Sequence, residues 1–174
     1  MAFAAPPYSI NEGFCARTLI STYRDGDTGD GIRLKGGVIM IIETERLILR
    51  EFTVDDWKQV HVYASDADLV QFMAWGPNSE DATKDYIDRM IISQKQNPRE
   101  IYESAITLKD NGSLIGGCGL HVEEHSQAAL GYCLNRQFWG SGFATEAAYA
   151  LCKFGFSEIK LHRIFATCRP VNIG

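Results

Sequence analysis

A glycine-containing loop at residues 137–142, with the sequence QFWGSG, sets the strongest limit on how this chain folds. It follows an apolar run at 128–134 and precedes an alanine-rich, helix-forming stretch at 143–151. A strand, a glycine loop and a helix in that order bring backbone amides together where the positive end of the helix dipole is exposed. The order therefore predicts an anion-binding site suited to a diphosphate group.

Two familiar nucleotide-binding motifs do not fit this loop. The dinucleotide fingerprint GxGxxG requires a third small residue where Thr145 stands, and an acidic residue about 20 positions further on. The P-loop requires a lysine, and the chain has none between Lys109 and Lys153. An ordinary strand-to-helix turn without a ligand is the competing interpretation.

The remaining pattern, QxxGxG after a strand, resembles the acyl-coenzyme A pyrophosphate loop of the GNAT superfamily of N-acetyltransferases. Other segments are similar to its RimJ/RimL-type branch, which acetylates ribosomal-protein N-termini. These segments are TERLILREF at 44–52, TVDDW at 53–57, GY at 131–132, FWG at 138–140 and ATEA at 144–147. The resemblance runs from about Met40 to the last residue, and we interpret Glu146 within it as structural.

The resemblance implies an α/β (α+β) fold with a mixed, mostly antiparallel sheet flanked by helices. It implies that acetyl-coenzyme A is the cosubstrate, with no metal, and that a primary amine attacks it directly in a ternary complex. A protein N-terminus is the favoured acceptor, since an α-amino group has a pKa of about 7.7–8.0 and a lysine one of about 10.4. The residues implied to bind the coenzyme are Tyr132, Cys133, Leu134, Gln137, Trp139, Gly140, Ser141, Gly142, Phe143, Ala144, Thr145 and Asn172.

The resemblance also implies how the coenzyme arm is held. The strand that ends at Leu134 is implied to separate from the next strand, at 163–168, and the pantetheine arm pairs with its exposed backbone as an added strand. A backbone amide near Leu134 would then hold the developing oxyanion, a contribution that usually dominates acyl transfer.

The catalytic residues are marked less clearly than the coenzyme loop. Glu123 and Glu124 are candidates because, with two neighbouring histidines, they are the titratable groups closest in sequence to the separating strands. Ser141 is a candidate because it lies within the loop. Arg136 and Arg163 are candidates for positive charge near the coenzyme phosphates, with simple surface roles as the alternative.

A rival metal motif lies at residues 121–125, where HVEEH matches the HxxEH pattern of inverted zinc peptidases. A zinc hydrolase that used His121, Glu124 and His125 would need both histidines on one face of a helix. The apolar, glycine-rich run at 114–120 predicts a strand end and a hairpin there instead. We therefore expect no metal at this segment.

Length and composition favour one domain outside the nucleic-acid and membrane classes. A chain of 174 residues that is 45% hydrophobic can bury one core. A net charge of −5 does not favour nucleic-acid binding, and no apolar run approaches the roughly 18 residues that span a membrane. Five cysteines without a CxxC pair favour reduced thiols and a cytoplasmic location. We expect Cys133 to be a small apolar strand residue rather than a nucleophile.

Local signals predict several elements. Thr53 and Ser79 are expected to cap two helices, the first with help from Asp56 three residues on. Three antiparallel strands are expected at 101–108, 114–122 and 128–134. The glycines at 116–119 predict a bulge in the second strand.

The N-terminal 39 residues differ in character from the rest. The run DGDTGDG at 25–31 and two glycines at 36–37 predict turns with little to pack. We expect a poorly ordered extension at 1–39 before a GNAT domain at 40–174, with Met40 as a candidate initiator. The acidic residues of the run argue against a mitochondrial targeting segment.

The end of the chain departs from the family's pattern. The stretch RPVN at 169–172 resembles the segment after the family's fifth strand, beyond which a helix and two more strands follow. We expect the domain to be incomplete after Gly174, so that the strand at 163–168 is an unpaired edge unless a second copy, in a homodimer, covers it. We therefore expect low or no activity, and a non-catalytic acyl-coenzyme A-binding fragment is the alternative function.

Overall fold

A computed structural model describes residues 15–17, 32–35, 39–170 and 172. The strands are β1 (Cys15–Arg17), β2 (Ile32–Lys35), β3 (Ile39–Glu43), β4 (Leu47–Arg50), β5 (Ile101–Leu108), β6 (Leu114–Glu123), β7 (Gln127–Leu134) and β8 (Arg163–Cys168). The helices are α1 (Trp57–Ala64), α2 (Ala67–Val70), α3 (Glu80–Ser93) and α4 (Phe143–Ser157). Three short 3₁₀ turns occur at Val54–Asp56, Glu124–Ser126 and Arg136–Phe138.

The eight strands form one sheet in the order β1-β8-β7-β6-β5-β4-β3-β2. Neighbouring strands are antiparallel except β7 and β8, which are parallel. Helices cover both faces, which confirms the mixed, mostly antiparallel sheet flanked by helices. Among the described residues, no helix has the length and apolarity needed to cross a bilayer.

Two hydrophobic clusters fill the space between the sheet and the helices. On one face α4 contributes Ala147, Leu151 and Phe154 to a core shared with β3 to β8. On the other face α1, α2 and α3 pack around Phe52 and Ala105. The sheet is therefore buried from both sides, and its ligand-accessible features lie at strand ends and loops.

Both predicted helix caps are present. Thr53 and Asp56 form a reciprocal capping box at the turn that leads into α1, and the Thr53 amide donates to Asp56 Oδ2 at 2.7 Å. The Ser79 hydroxyl accepts a hydrogen bond from the Ala82 amide at the start of α3, at 3.2 Å. These local sequence signals are confirmed because each depends on residues within three positions.

The expected three-strand meander and its bulge are also confirmed. The β5–β6 register shifts between Ile106 and Thr107, whose partners are Gly116 and Leu114, so that Ile115 is the extra residue. A side chain at Gly116 would collide with the backbone carbonyl of Cys133 on β7. Glycine is therefore required here by the close approach of a neighbouring strand.

The structure describes two short strands before residue 39. Segments Cys15–Arg17 and Ile32–Lys35 form strands, although both fall in the stretch expected to be poorly ordered. Ile39 begins β3, and the remainder of residues 1–39 lies outside the described residues. β1 pairs with β8 in antiparallel register, with Cys15 opposite Cys168, so the expected unpaired edge is covered by the same chain. The backbone groups at the edge of β8 find their hydrogen-bond partners in β1. A second copy of the chain is therefore not needed to cover this edge.

The parallel strands β7 and β8 remain together for only three residue pairs. Gln127, Ala128 and Ala129 face Arg163, Ile164 and Phe165, and no pairing with β8 is present from residue 130 to residue 134. The two strands thus separate toward the end of β7 that leads into the glycine loop. The implied V-shaped opening between them is confirmed.

We predict that α4 is held mainly by its buried face. Leu151→Ala should lower the free energy of unfolding by about 2–5 kcal/mol, because Leu151 is fully buried and its truncation leaves a cavity. Tyr149→Ala, on the same helix but 54% exposed, should change it by less than about 0.5 kcal/mol. Urea denaturation measures both, and equal losses would contradict this account of α4.

Candidate functional site

The glycine loop is fixed at its start by hydrogen bonds to the end of β7. The Asn135 side chain accepts a hydrogen bond from the Gln137 amide at 3.1 Å, which shapes the 3₁₀ turn. The Trp139 indole Nε1 donates to the Leu134 carbonyl at 2.8 Å. Trp139 is therefore tied to the strand end although 57% of it is exposed.

Gly140 and Gly142 make the turn from the loop into α4. Their φ angles are +72° and +80°, in the left-handed region that favours glycine. Gly142 is the N-cap of α4, and its carbonyl accepts the Glu146 amide at 3.0 Å. The helix thus begins at Phe143, directly after a turn in which the backbone of Gly140 and of Gly142 favours glycine.

The amides around this helix start are available to a ligand. Within the described part of the chain, no amide from residue 140 to residue 145 donates a hydrogen bond to a protein acceptor. Gly140, Ser141, Gly142 and Thr145 are exposed. Free amides at the positive end of a 15-residue helix form a site for phosphate groups.

A carboxylate on the first turn of α4 ties the loop to the sheet. Glu146 Oε1 accepts hydrogen bonds from Thr44 Oγ1 at 2.6 Å and from the Arg46 amide at 2.9 Å, and its Oε2 accepts from Arg46 Nε at 2.7 Å. Arg46 Nη1 then donates to the Ser141 carbonyl at 3.0 Å, and the guanidinium stacks on the Phe143 ring at 4.4 Å. The structural role expected of Glu146 is confirmed, whereas Arg46 was not identified from the sequence.

The environment of Glu146 lowers the pKa of its carboxyl group. Burial alone would raise this pKa, but hydrogen bonds from Thr44 and Arg46, together with the Arg46 charge, outweigh burial. Glu146 is therefore ionised at neutral pH. Its charge balances that of the Arg46 guanidinium, so the pair joins the loop to the sheet.

Neither of the two arginines predicted to add charge near the loop is free to do so. Arg136 donates to Asp68 Oδ2 at 3.1 Å, and Asp66 lies 3.8 Å from the same nitrogen. Arg163 lies at the opposite end of β7, where it donates to the Gln127 side chain and stacks on Phe165. The alternative of surface roles therefore fits both residues.

The catalytic candidates Glu123 and Glu124 lie away from the opening. They end β6 and begin the turn to β7, at the end where β7 and β8 are still paired. At about 3.3 Å per residue, this end of β7 is roughly 23 Å from Leu134. Their position does not support a role in proton transfer, and the sequence suggested them only because nearness along the chain was taken for nearness in space. Ser141, by contrast, is exposed in the loop itself.

The HxxEH segment has the strand-and-hairpin geometry that its flanks predict. His121 lies in β6, and His125 lies in the turn with a φ of +62°. The two side chains therefore do not share one helical face as a zincin pair must. Among the described residues, no group of three or more His, Cys, Asp and Glu side chains is arranged to hold a metal.

Other coenzyme candidates differ in accessibility. Tyr132 is 52% exposed on the open part of β7. Burial first, and the nearby charge of Glu103 second, raise the pKa of the Cys133 thiol to about 12. This favours an inert strand thiol over a nucleophile. Asn172 is exposed, and its amide donates to the Arg169 carbonyl at 2.9 Å.

The structure reveals a buried carboxylate near the opening that was missed from the sequence. Glu103 in β5 is 7% exposed, and its Oε1 lies 2.8 Å from His121 Nε2 on the neighbouring strand. The signal available was a charged residue in an otherwise apolar strand, ESAITL at 103–108. The sequence around Glu103 does not indicate that its side chain extends toward β7.

Comparison with known proteins identifies the wider class. A family model described as the acetyltransferase (GNAT) domain matches residues 46–174. The uncharacterized N-acetyltransferase YnaD of Bacillus subtilis is 35% identical over 136 residues, which are 77% of this chain and 76% of that protein. A GNAT-family acetyltransferase structure from Bacillus anthracis is 33% identical, covers 76% of each chain and has a TM-score of 0.68.

A more distant structure shares the fold. It is the acetyltransferase from Salmonella typhimurium that modifies the N-terminal serine of 50S ribosomal subunit protein L7/L12. It is 19% identical, covers 74% of each chain and has a TM-score of 0.65.

We predict that the Glu146 contacts stabilise the fold in a pH-dependent way. Glu146→Gln removes the charge, and should cost about 1–2 kcal/mol of unfolding free energy at pH 7. The folded-state pKa of Glu146 is lowered. Its contribution is therefore complete above the unfolded pKa of about 4.3 and is lost as the pH falls through the folded value.

Denaturation of the wild type and Glu146→Gln between pH 7 and pH 3 measures this difference. The gap between them should narrow below about pH 4. Glu45→Gln, which changes an exposed carboxylate in the same turn as Arg46, should leave stability nearly unchanged at every pH. A gap that widens on acidification would contradict the assigned role of Glu146.

Proposed function

The chain belongs to the GNAT acetyltransferase family, and we propose that it acts as a RimJ/RimL-type enzyme, which moves the acetyl group of acetyl-coenzyme A onto a protein N-terminal amine. Members of this family transfer acetyl groups from acetyl-coenzyme A to amines. The observation that carries the proposal is the set of amides at residues 140–145, which donate to no acceptor among the described residues and lie where β7 and β8 separate.

The free amides fit the pyrophosphate of the coenzyme. They stand at a helix N-terminus, their glycines leave the backbone accessible, and Arg46 holds the loop through the Ser141 carbonyl. We infer that Gly140, Ser141 and Gly142 contact the phosphates through their backbone. The amides of Phe143, Ala144 and Thr145 extend this surface along the first turn of α4.

The open edge of β7 fits the pantetheine arm. From residue 130 to residue 134 the strand has β6 on one side, and no described strand pairs with it on the other. An extended amide-containing ligand can therefore pair with this edge as an additional strand. The amide of Asn135 is not available to hold an oxyanion, because it donates to the Ile115 carbonyl at 2.8 Å.

An N-terminal acceptor is favoured by the proton that must be lost. Only a neutral amine attacks a thioester carbonyl, and an α-amino group with a pKa of about 8 is deprotonated far more often near neutral pH than a lysine of about 10.4. The L7/L12-modifying acetyltransferase of the same fold acts on an N-terminal serine. A cytoplasmic location suits such an acceptor and the free thiols of Cys118, Cys133, Cys152 and Cys168.

We predict that acetyl-coenzyme A stabilises the folded chain. Ligand at 100 times its Kd should add about 2.7 kcal/mol and raise the Tm. Ser141→Asp should weaken binding about tenfold or more, because it brings a negative charge within a few ångströms of the phosphates. Ser113→Asp, in an exposed turn between β5 and β6, is the matched control and should bind as the wild type does. An unaltered Kd for Ser141→Asp would contradict the phosphate assignment.

We predict label transfer from radiolabelled acetyl-coenzyme A to peptides with a free N-terminal serine or alanine. A radiolabel makes transfer of single acetyl groups detectable at low turnover. The same peptides with a blocked N-terminus and an internal lysine should remain unlabelled, because the lysine is protonated. Labelling of the blocked peptides or of spermine alone would refute the N-terminal acceptor. Coenzyme binding without transfer to any amine would instead support the non-catalytic alternative.

A further inference from the structure

A carboxylate lies inside the sheet beside the strand that borders the opening. Glu103 on β5 is opposite Gly119 on β6, and Gly119 is opposite Gly131 on β7. The Glu103 carboxyl group covers Gly119, since any side chain there would collide with it. Glu103 therefore extends across β6 toward β7, through a gap that only glycine leaves open.

No atom of the described residues fills the space beyond Gly119. A Cβ atom at Gly131 would have no atom within 4 Å of it. Gly131 lies two residues past Ala129, the last residue of β7 that pairs with β8. The open space over Gly131 is thus at the base of the V-shaped opening, on the face of the sheet that carries Glu103.

Two observations show that Glu103 is held in place and lies near β7. His121 Nε2 lies 2.8 Å from Glu103 Oε1, and since a carboxylate only accepts hydrogen bonds, Nε2 is the donor. Among the described residues, no donor hydrogen-bonds to the second oxygen, Oε2. The Glu103 charge also contributes to the raised pKa of Cys133, which lies on the open part of β7.

We propose that Glu103 is the catalytic base of this enzyme, and that His121 positions it. The role rests on the proposed function, because it needs an amine in the opening. It requires an acceptor nitrogen in the space over Gly131, next to Glu103 Oε2. This carboxylate, rather than the distant Glu123 or Glu124, then takes the proton that acyl transfer releases.

The proposed transfer forms one bond, breaks one bond and moves one proton through Glu103. The neutral amine forms a bond from its nitrogen to the acetyl carbonyl carbon, and the nitrogen becomes cationic and acidic as that bond forms. Glu103 Oε2 accepts one N–H proton from it. The bond between the carbonyl carbon and sulfur breaks, and the departing thiolate takes a proton from water. Glu103 finally returns its proton to solvent, so that no group is oxidised or reduced.

The competing explanation is that Glu103 and His121 form a structural pair. Both side chains are largely buried, and removal of one partner from such a pair destabilises a fold whether or not it acts in catalysis. Glu103→Gln addresses this because it keeps the shape and a hydrogen-bond acceptor for His121 but cannot take up a proton. Glu103→Ala leaves room over Gly119 for a small carboxylate supplied from solution.

The test compares the wild type, Glu103→Gln and Glu103→Ala on the serine peptide of the transfer assay. General-base loss should lower kcat on the order of 100-fold in both variants. The Tm rise caused by acetyl-coenzyme A should be retained, because the coenzyme loop is unchanged. Added acetate should restore part of the activity of Glu103→Ala. It should not change the activity of the wild type or of Glu103→Gln. Glu100→Gln, an exposed carboxylate just before β5, should match the wild type.

The outcomes separate this role from the proposed function. If the wild type transfers label and Glu103→Gln retains its kcat, Glu103 is not the base and the proposed function stands. Loss of activity in Glu103→Ala that acetate does not restore, with a lowered Tm, would assign a structural role and overturn the proposal. A wild type that binds acetyl-coenzyme A and transfers no label would refute the proposed function and the role of Glu103 together.

Discussion

The carboxylate of Glu146 joins the glycine loop to the sheet, and the geometry of the candidate site depends on that connection. It accepts from Thr44 and from both the backbone and side chain of Arg46, 100 or more positions away in the chain. Arg46 in turn holds the Ser141 carbonyl. The Ser141 carbonyl and the Gly142 amide belong to one planar trans peptide group, so the amide points away from Arg46. The anion site is thus organised before any ligand arrives.

The second requirement is the early separation of β7 from β8. Three residue pairs hold the strands together, and beyond Ala129 the edge of β7 is open beside the glycine loop. β7 thereby presents its open backbone edge to an extended ligand. The space over Gly131, on one face of β7, is open to an acceptor. Glu103 reaches this space only because Gly119 has no side chain. The coenzyme loop, the open edge and the base therefore meet around the last residues of β7.

Short-range features could be predicted from the sequence, and long-range ones could not. The caps at Thr53 and Ser79, the bulge near Gly116 and the turn at Gly140 and Gly142 depend on neighbours a few positions away, whose residue types reveal them. The Arg46–Glu146 contact, the Glu103–His121 pair and the pairing of β1 with β8 join distant segments. No local pattern specifies such partners. A short distance along the chain does not imply a short distance in space, as the positions of Glu123 and Glu124 show.

The central claim is that the loop amides bind the phosphates of acetyl-coenzyme A, and amide hydrogen exchange tests it most directly. With the coenzyme at saturation, the account predicts slowed exchange at residues 140–145, where the amides have no protein acceptor. Amides on β3, which lies four strands away from β7 in the sheet, provide an internal control that should not change. Coenzyme binding with unchanged exchange at 140–145 would contradict the claim, because the phosphates would then lie elsewhere.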